Sequence, residues 1–134
     1  MEIGGNRMKR LVIDLDGTLT IDDPQLDYPS KRPNLAVVEK LREYKAQGFE
    51  IVVCTARNMR THQGNVGLIN VHTLPVITDW LRRHDIPYDE IHVGKPWCGH
   101  DGFHVDDKAL RPDEFVRMSH DEIATLLHLG RNAA

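Results

Sequence analysis

The chain has 134 residues, of which 40% are hydrophobic, and a formal net charge of −3 at pH 7. We expect one folded domain over 1–134, with 1–8 as a loose N-terminal extension and Met1 or Met8 as the natural start. The near-neutral charge without a Lys/Arg stripe argues against a nucleic-acid-binding protein. Without a long apolar run or a leader-like N-terminus, we expect a cytoplasmic protein that does not contact membranes.

The predicted elements begin with an apolar strand over 11–14, which precedes a polar, proline-containing loop or flap over 21–33. Apolar residues at helical spacing then predict a helix over 34–47. Asn34 is a suitable N-cap for this helix, and Gly48 suits the position just after its C-terminus.

The middle of the chain is predicted as strand, loop and helix. A β-branched run over 49–54 predicts a buried strand. Residues 58–73 show no clean period and are predicted as a long loop, which in a small domain is usually functional or mobile. Helical spacing returns over 74–83.

Two short strands are predicted next, over 91–93 and 103–105, and a capping box of Ser119 and Glu122 predicts a final helix. Strands that alternate with helices imply right-handed crossovers and a parallel sheet covered on both faces. The predicted fold class is therefore α/β, a three-layer Rossmann-like sandwich with a central parallel sheet.

Two carboxylates stand one residue apart where the first predicted strand ends, in the string DLDGT over 14–18. Because strand side chains alternate between faces, Asp14 and Asp16 are expected to leave the strand on the same side. Two like charges that close need a bound cation or a shared proton. The alternative is an ordinary polar junction between a strand and a turn.

Polar residues also follow the three later predicted strands: Thr55, then Lys95, then Asp106 and Asp107. In an open parallel sheet, ligands bind at the edge formed by the carboxyl ends of the strands. Four strands that all end in polar groups at one edge predict a site there.

These residue types suit phosphoryl transfer. A carboxylate such as Asp14 can form a covalent phospho-enzyme, and Asp16 could supply the proton that a leaving alkoxide needs. Mg²⁺ prefers a few carboxylates plus water and substrate oxygens, so Asp14 and Asp106 are suitable ligands. The Thr55 hydroxyl and the Lys95 ammonium can donate hydrogen bonds to phosphoryl oxygens.

The four strand ends, in this order, resemble the four motifs of the haloacid dehalogenase superfamily of phosphohydrolases. The resemblance implies a Rossmann-like core with Asp14 as nucleophile and Asp16 as general acid/base. It also implies Mg²⁺ held by the Asp14 carboxylate, the Asp16 backbone carbonyl and Asp106. Asp107 would lie beside the metal ligands or act through Lys95, and which acid of the Asp106-Asp107 pair contacts the metal stays open.

The segments 54–60 and 94–102 more narrowly resemble phosphatases found with capsular polysaccharide biosynthesis. Many members of the superfamily carry an inserted cap domain, but the intervals after the first and second motifs here are too short for one. We therefore expect a capless protein with an open site, closed by loops or by a neighbouring subunit of a homo-oligomer.

Substrate contacts are expected from small and polar residues that follow the first three motifs: Gly17, Thr18, Ala56, Arg57, Asn58, Arg60 and Trp97. The alternatives are loop scaffolding or surface ion pairs for the polar residues and packing for Trp97. Cys98, His100 and His104 could suggest zinc, but three candidates without a spaced quartet make a weak case.

The leading hypothesis is a Mg²⁺-dependent phosphatase acting on a small phosphate ester, most simply a sugar phosphate. Phosphotransfer to another acceptor and a phosphoprotein substrate remain alternatives on the same fold. A non-catalytic binding protein is a third class, disfavoured because every expected catalytic position is occupied by the required residue type.

Overall fold

The computed structural model describes residues 8–130. Met1 and nearly all of the predicted N-terminal extension over 1–8 lie outside the described residues. The described chain divides into two units, residues 8–97 and 98–130, and each is presented by itself. The single domain expected from chain length stays a prediction.

The first unit contains a parallel sheet of three strands: β1 (Arg10–Ile13), β2 (Glu50–Cys54) and β3 (Glu90–His92). Their order in the sheet is β1-β2-β3, and both pairings are parallel. In the register, Val12 lies opposite Val52, and Val53 lies opposite Ile91. The predicted parallel α/β arrangement is therefore confirmed for these three strands, each within one residue of its predicted position.

Helix α1 (Leu35–Ala46) connects β1 to β2 and follows the predicted boundaries closely. The Asn34 side chain accepts a hydrogen bond from the Val37 amide at 3.4 Å, which confirms the predicted N-cap. Gly48 has a φ of 96°, a left-handed conformation that glycine adopts without steric cost. The helix buries Leu41 and three neighbours on one face.

The predicted loop over 58–73 is wrong in its second half, where the structure contains helix α2 (Val66–His72), followed by α3 (Leu74–Arg83). The Asn65 side chain caps α2 by accepting a hydrogen bond from the Leu68 amide at 3.1 Å. Two turns with one fully buried residue give too little apolar periodicity to detect from sequence.

No helix within 8–130 has the length and apolar character needed to span a membrane.

The core of the first unit extends beneath the acidic turn that follows β1. Leu15 and Leu19 are both fully buried, on either side of Asp16 and Gly17. Trp80 of α3 is also buried, and its indole Nε1 donates to the Lys31 carbonyl oxygen at 2.8 Å. Buried leucines within the turn hold its backbone in place, so the polar residues between them have a defined position.

The second unit contains α4 (Pro112–Arg117) and α5 (His120–Leu127). The capping box is confirmed, since the Ser119 Oγ accepts from the Glu122 amide at 3.1 Å and the Glu122 Oε1 accepts from the Ser119 amide at 2.9 Å. Sequence analysis did not predict α4, which is only six residues long.

The predicted strand over 103–105 is wrong: these residues have no regular secondary structure. Phe103 and Val105 are 80% and 89% exposed. A strand is defined by a hydrogen-bonded neighbour, which a favourable composition alone does not supply.

Asp89 links α1 to β2 and gives a prediction on stability. Its carboxylate accepts hydrogen bonds from Lys45 Nζ at 2.8 Å and from the Ile51 amide at 2.7 Å. These bonds lower the pKa of Asp89 from its ordinary value of 3.8, and the bond from Lys45 has the larger effect. Since the side chain is 34% exposed, we expect Asp89→Ala to reduce the free energy of unfolding at pH 7 by only about 1 kcal/mol.

The pH dependence of that loss is the sharper test. A carboxyl whose pKa falls on folding stabilises the protein above its unfolded value and loses this contribution as pH falls through the folded value. The difference between wild type and Asp89→Ala, measured by urea denaturation, should therefore shrink below pH 3.8 and be constant at higher pH. Asp22→Ala, at an exposed loop position, serves as control, and a difference that persists unchanged at pH 2 would contradict the argument.

Candidate active site

The turn that follows β1 positions the two acids. Asp14 keeps extended backbone angles, and residues 15–19 then form a kinked turn in which Asp16 (ψ 124°) and Gly17 depart from helical geometry. Gly17 stands inside this turn with a φ of 81°, which a residue with a Cβ adopts only with strain. Its amide donates to the hydroxyl of buried Thr20 at 3.1 Å. Gly17, predicted to contact substrate, therefore has a clear conformational role, and a substrate contact stays a prediction.

Asp14 lies among hydrogen-bond donors. The Thr18 hydroxyl donates to its Oδ2 at 3.2 Å, and Lys95 Nζ lies 3.5 Å from its Oδ1. The Asp14 side chain is 36% exposed, so one side of the carboxylate faces solvent. Lys95 and Thr18 therefore hold the Asp14 carboxylate in one orientation. Such a fixed carboxylate suits a nucleophile, which must approach its substrate from a set direction.

Backbone hydrogen bonds bring Lys95 to this edge. The Thr55 amide donates to the His92 carbonyl at 2.9 Å, and the Lys95 amide donates to the Thr55 carbonyl at 3.1 Å. The ends of β2 and β3 thus remain paired beyond the strands themselves. Sequence analysis expected Thr55 and Lys95 at the same edge as Asp14, and the structure places Lys95 in contact with it.

The Thr55 side chain lies in the interior beneath this edge. Thr55 is 1% exposed, and its Oγ1 accepts a hydrogen bond from the Arg57 amide at 3.0 Å. A threonine hydroxyl that accepts one bond still has one hydrogen to donate. The contact with Arg57 therefore leaves Thr55 able to serve as a donor to a phosphoryl oxygen.

Asp16 has a different environment, dominated by Arg57. The Arg57 Nε and Nη2 donate to the two carboxylate oxygens of Asp16 at 3.0 Å and 2.8 Å, the paired geometry that a planar guanidinium favours. The Arg57 side chain is only 1% exposed. Its guanidinium also stacks 4.0 Å from the centre of the Tyr28 ring. Burial, followed by the charge of Asp16, raises the pKa of Tyr28.

Sequence analysis expected Arg57 to contact substrate, with loop scaffolding or a surface ion pair as the alternatives, and the structure has an ion pair made by a buried guanidinium. The guanidinium spans Asp16 and Tyr28, while its Nη1 is buried without a hydrogen-bond partner. A substrate contact through this arginine stays a prediction. Nothing in the local sequence indicates the pairing, because 41 residues separate Arg57 from Asp16.

Replacing Arg57 separates a positioning role from a substrate-binding role. We expect Arg57→Lys to lower kcat roughly 10- to 100-fold with little change in KM, because one ammonium cannot hold both oxygens of Asp16. A substrate-binding role would instead raise KM. Steady-state kinetics on an alkyl phosphate, whose poor leaving group depends on Asp16, distinguish the two, with the exposed Arg82→Lys as matched control. A raised KM at unchanged kcat would refute the positioning role.

The other predicted substrate residues lie on the segment after β2 and at the end of the first unit. Asn58 has a φ of 62°, and its Oδ1 accepts from the buried Thr73 hydroxyl at 2.7 Å. The Arg60 guanidinium lies 5.7 Å from the centre of the half-exposed Trp97 ring. Ala56, which directly precedes Arg57 in the sequence, is half-buried. Substrate contacts by these residues stay predictions.

Asp106 and Asp107 belong to the second unit, where both are exposed. Asp106 begins a short turn, and its Oδ1 accepts from the Lys108 amide at 2.9 Å. This bond and a smaller contribution from Asp107 lower the pKa of Asp106. Which of the two carboxylates would contact a metal stays a prediction.

The donor chemistry of the first unit suits Mg²⁺. The Asp14 carboxylate offers oxygen ligands, while the Asp16 carboxylate is taken up by its pairing with Arg57. Within 8–130, however, no group of three or more His, Cys, Asp or Glu side chains lies close enough together to hold a metal. The Asp14 carboxylate therefore fits part of a magnesium site, since Mg²⁺ commonly takes one or two carboxylates and completes its coordination with water and substrate oxygens.

Comparison with known proteins identifies relatives. A family profile described as haloacid dehalogenase-like hydrolase matches residues 11–78. The crystal structure of an MCSG target from Vibrio cholerae is similar with a TM-score of 0.88 and 60% sequence identity, over 92% of this chain and 100% of that chain. A search of curated proteins gives no match.

Two weaker structural similarities involve chains of the Pnkp1/Rnl/Hen1 complex. One, from the structure described as an RNA repair complex, has a TM-score of 0.47 and 22% identity over 64% of this chain and 26% of that chain. The other has a TM-score of 0.48 and 19% identity over 84% of this chain and 36% of that chain.

Proposed function

The chain belongs to the haloacid dehalogenase-like hydrolases, and from this premise we propose that it is a Mg²⁺-dependent phosphatase acting on a small phosphate monoester. The observation that carries the proposal is the different environment of the two acids. Both side chains are 36% exposed, but Asp14 lies beside Lys95 and Thr18, whereas both oxygens of Asp16 accept hydrogen bonds from a buried arginine. Two carboxylates with different surroundings can take different roles in one reaction.

In the proposed first step, an Asp14 carboxylate oxygen attacks phosphorus and the bond from phosphorus to the ester oxygen breaks. Asp16 donates a proton to that leaving oxygen, so an alcohol departs. In the second step, Asp16 takes a proton from water, whose oxygen attacks the phosphoryl group on Asp14. The products are inorganic phosphate and the restored carboxylate.

Charge on the transferring phosphoryl oxygens needs compensation throughout. A bound Mg²⁺ would neutralise part of this charge and let a carboxylate approach the phosphate. The Lys95 ammonium and the Thr55 hydroxyl supply the remaining positive charge and hydrogen bonds. Lys95 also restrains the Asp14 carboxylate before substrate arrives, which reduces the reorganisation needed for attack.

Arg57 affects the proton step through Asp16. Its guanidinium donates one hydrogen bond to each oxygen of the carboxylate, and each oxygen keeps a second lone pair that can hold the transferred proton. Arg57 therefore fixes the orientation of Asp16 toward a leaving oxygen without blocking it. Tyr28, stacked on the guanidinium, limits the directions in which Arg57 can move.

We further propose that the protein is capless, cytoplasmic and specific for a sugar phosphate of polysaccharide or capsule biosynthesis. The flap over 21–33, the segment over 58–64 and Trp97 would then choose the substrate. The Asp14 side chain is 36% exposed, and this exposure supports an open site because a substrate can reach the carboxylate directly from solvent. An exposed aromatic ring beside a guanidinium suits stacking on a sugar.

A screen of sugar, nucleotide and amino-acid phosphates, with and without Mg²⁺, tests this function. We expect turnover of an aryl phosphate that EDTA abolishes and added Mg²⁺ restores, together with a preference for one class of sugar phosphate. Absence of turnover on every ester with Mg²⁺ present would refute the phosphatase. Equal, weak turnover across the panel would refute the small sugar phosphate as the natural substrate.

A further inference from the structure

The flap over 21–33 is closed at its base by backbone pairing. Thr20 and Pro33 form an antiparallel bridge, and the Ile21 amide donates to the Arg32 carbonyl oxygen at 2.8 Å. Thr20 is also buried, so this base belongs to the core of the first unit. The two ends of the flap are therefore fixed to each other.

Helix α3 holds the middle of the flap. The indole Nε1 of buried Trp80 donates to the Lys31 carbonyl oxygen at 2.8 Å, and the Arg83 Nη2 donates to the Pro29 carbonyl oxygen at 2.9 Å. Residues three apart lie on one face of a helix, so α3 binds the flap at two neighbouring points. A loop bound at its base and in its middle has few local ways to open, and the flap is therefore a fixed wall of the first unit.

Tyr28 stands on a short turn in this fixed middle part. Residues Tyr28–Ser30 form one 3₁₀ turn, and the Asp27 Oδ1 accepts from the Ser30 amide at 3.1 Å. Pro29 lies inside the turn, and its ring restricts the backbone angle φ there. The backbone that carries the Tyr28 ring therefore has a defined position.

The Tyr28 ring faces a buried charge that hydrogen bonds satisfy only in part. The Arg57 side chain is 1% exposed, and its guanidinium carbon lies 4.0 Å from the centre of the ring. Two of its nitrogens donate to Asp16, while Nη1 is buried without a hydrogen-bond partner. The negative face of an aromatic ring attracts a cation most strongly when water is excluded. The ring therefore compensates a charge that the carboxylate meets along one edge only, and it blocks movement of the guanidinium on that side.

We propose that Tyr28 is a positioning residue for the acid of the reaction and acts through Arg57. The ring fixes the plane of the guanidinium, and this plane sets the direction of the two hydrogen bonds to Asp16 because the arginine fork is rigid. A small error in the orientation of a catalytic group lowers the rate strongly. The expected effect on rate rests on the proposed phosphatase function, but the hold of Tyr28 on Arg57 does not.

Replacing the ring by an aliphatic side chain tests the effect on rate. Tyr28→Leu keeps apolar bulk without an aromatic face, so kcat on an alkyl phosphate should fall roughly 10-fold while KM changes by less than about twofold. An aryl phosphate needs little protonation of its leaving phenol and should slow less. Tyr28→Phe, which keeps the ring face, should recover the alkyl rate that Tyr28→Leu loses. Tyr88→Leu, at a half-buried tyrosine two residues before β3, is the matched control and should leave both rates unchanged.

Three results of these kinetics would overturn the proposal. An equal loss on both esters would mean that Tyr28 does not act on the proton step. A raised KM at unchanged kcat would mean that it binds substrate. A rate for Tyr28→Phe as low as that for Tyr28→Leu would assign the effect to the hydroxyl instead of the ring face.

A second background tests whether the effect passes through Arg57. In Arg57→Met no guanidinium remains for the ring to hold, so adding Tyr28→Leu should cause no further loss on the alkyl phosphate. A further loss as large as that in the wild-type background would show that Tyr28 acts independently of Arg57, which the proposal excludes.

Hydrogen exchange at Arg57 tests the contact without any turnover. The Arg57 Nε–H is buried and donates to Asp16 at 3.0 Å, so in NMR spectra of protein with isotope-labelled arginine it should exchange slowly with water. Its signal is identified by its absence from Arg57→Lys. Tyr28→Leu should speed this exchange by roughly 10-fold or more, and Tyr28→Phe should restore slow exchange.

An exchange rate in Tyr28→Leu equal to that of wild type would refute the hold of Tyr28 on Arg57. If wild type hydrolyses no phosphate ester, the proposed function fails, and the exchange rate still decides whether Tyr28 holds the guanidinium. The two proposals can therefore fail separately.

Discussion

Replacing Asp14 by Asn is expected to abolish phosphatase activity, with a loss of at least about 10⁴-fold in kcat, because loss of a covalent nucleophile removes the reaction path itself. The change is small in volume, and the side chain is 36% exposed, so the fold should remain intact. Lys95 loses its charge partner, but this contact is at 3.5 Å and partly exposed, so its contribution to stability is about 1 kcal/mol or less.

Turnover of an aryl phosphate and a thermal unfolding curve check this prediction together. Asp79→Asn is the matched control, since Asp79 is an exposed acid of α3 paired with Arg83 and lies outside the site. Wild type stopped rapidly during turnover should show a mass increase of one phosphoryl group, and Asp14→Asn should not. A folded Asp14→Asn variant with activity near that of wild type would rule out the covalent step.

The second large effect is expected for Asp16→Asn, and it should depend on the leaving group. A general acid matters most when the departing oxygen is a poor leaving group, so alkyl phosphates should slow by roughly 10²- to 10⁴-fold. An aryl phosphate with an acidic leaving phenol needs little protonation and should slow far less. An equal loss on both substrates would contradict the assignment of Asp16 as the acid.

Stability must be separated from chemistry in this variant. Asp16→Asn leaves the Arg57 charge buried without its carboxylate partner, which we expect to cost about 2 kcal/mol of unfolding free energy. The ratio of alkyl to aryl rates does not depend on how much protein is folded, because both substrates report on the same folded fraction. Combining Asp16→Asn with Arg57→Met removes the buried charge and should recover part of the stability without restoring the ratio.

The features that the sequence predicted correctly are helix ends, which are set by residues close together in the chain. The Asn34 cap, the left-handed Gly48 and the capping box of Ser119 and Glu122 each involve residues within four positions of one another. The nearness of Asp14 and Lys95 was also predictable, since parallel strands bring their carboxyl ends to one edge.

Three features could not be predicted from local patterns. Helix α2 is too short for periodicity to reveal, and residues 103–105 have the composition of a strand but no regular secondary structure in the second unit as described. The pairing of Arg57 with Asp16 joins side chains 41 residues apart, with no spacing rule between them. In each case the missing information was the position of another part of the chain.

The sequence by itself indicated the three parallel strands, helices α1, α3 and α5, the resemblance to the family and the residue types available for phosphoryl transfer. These follow from periodicity, caps and motif order, which are properties of short stretches of chain. Only the tertiary structure decided that the buried Arg57 holds both oxygens of Asp16 and stacks on Tyr28. Burial and pairing depend on which distant groups exclude water and supply hydrogen-bond partners, and the folded backbone alone sets those distances.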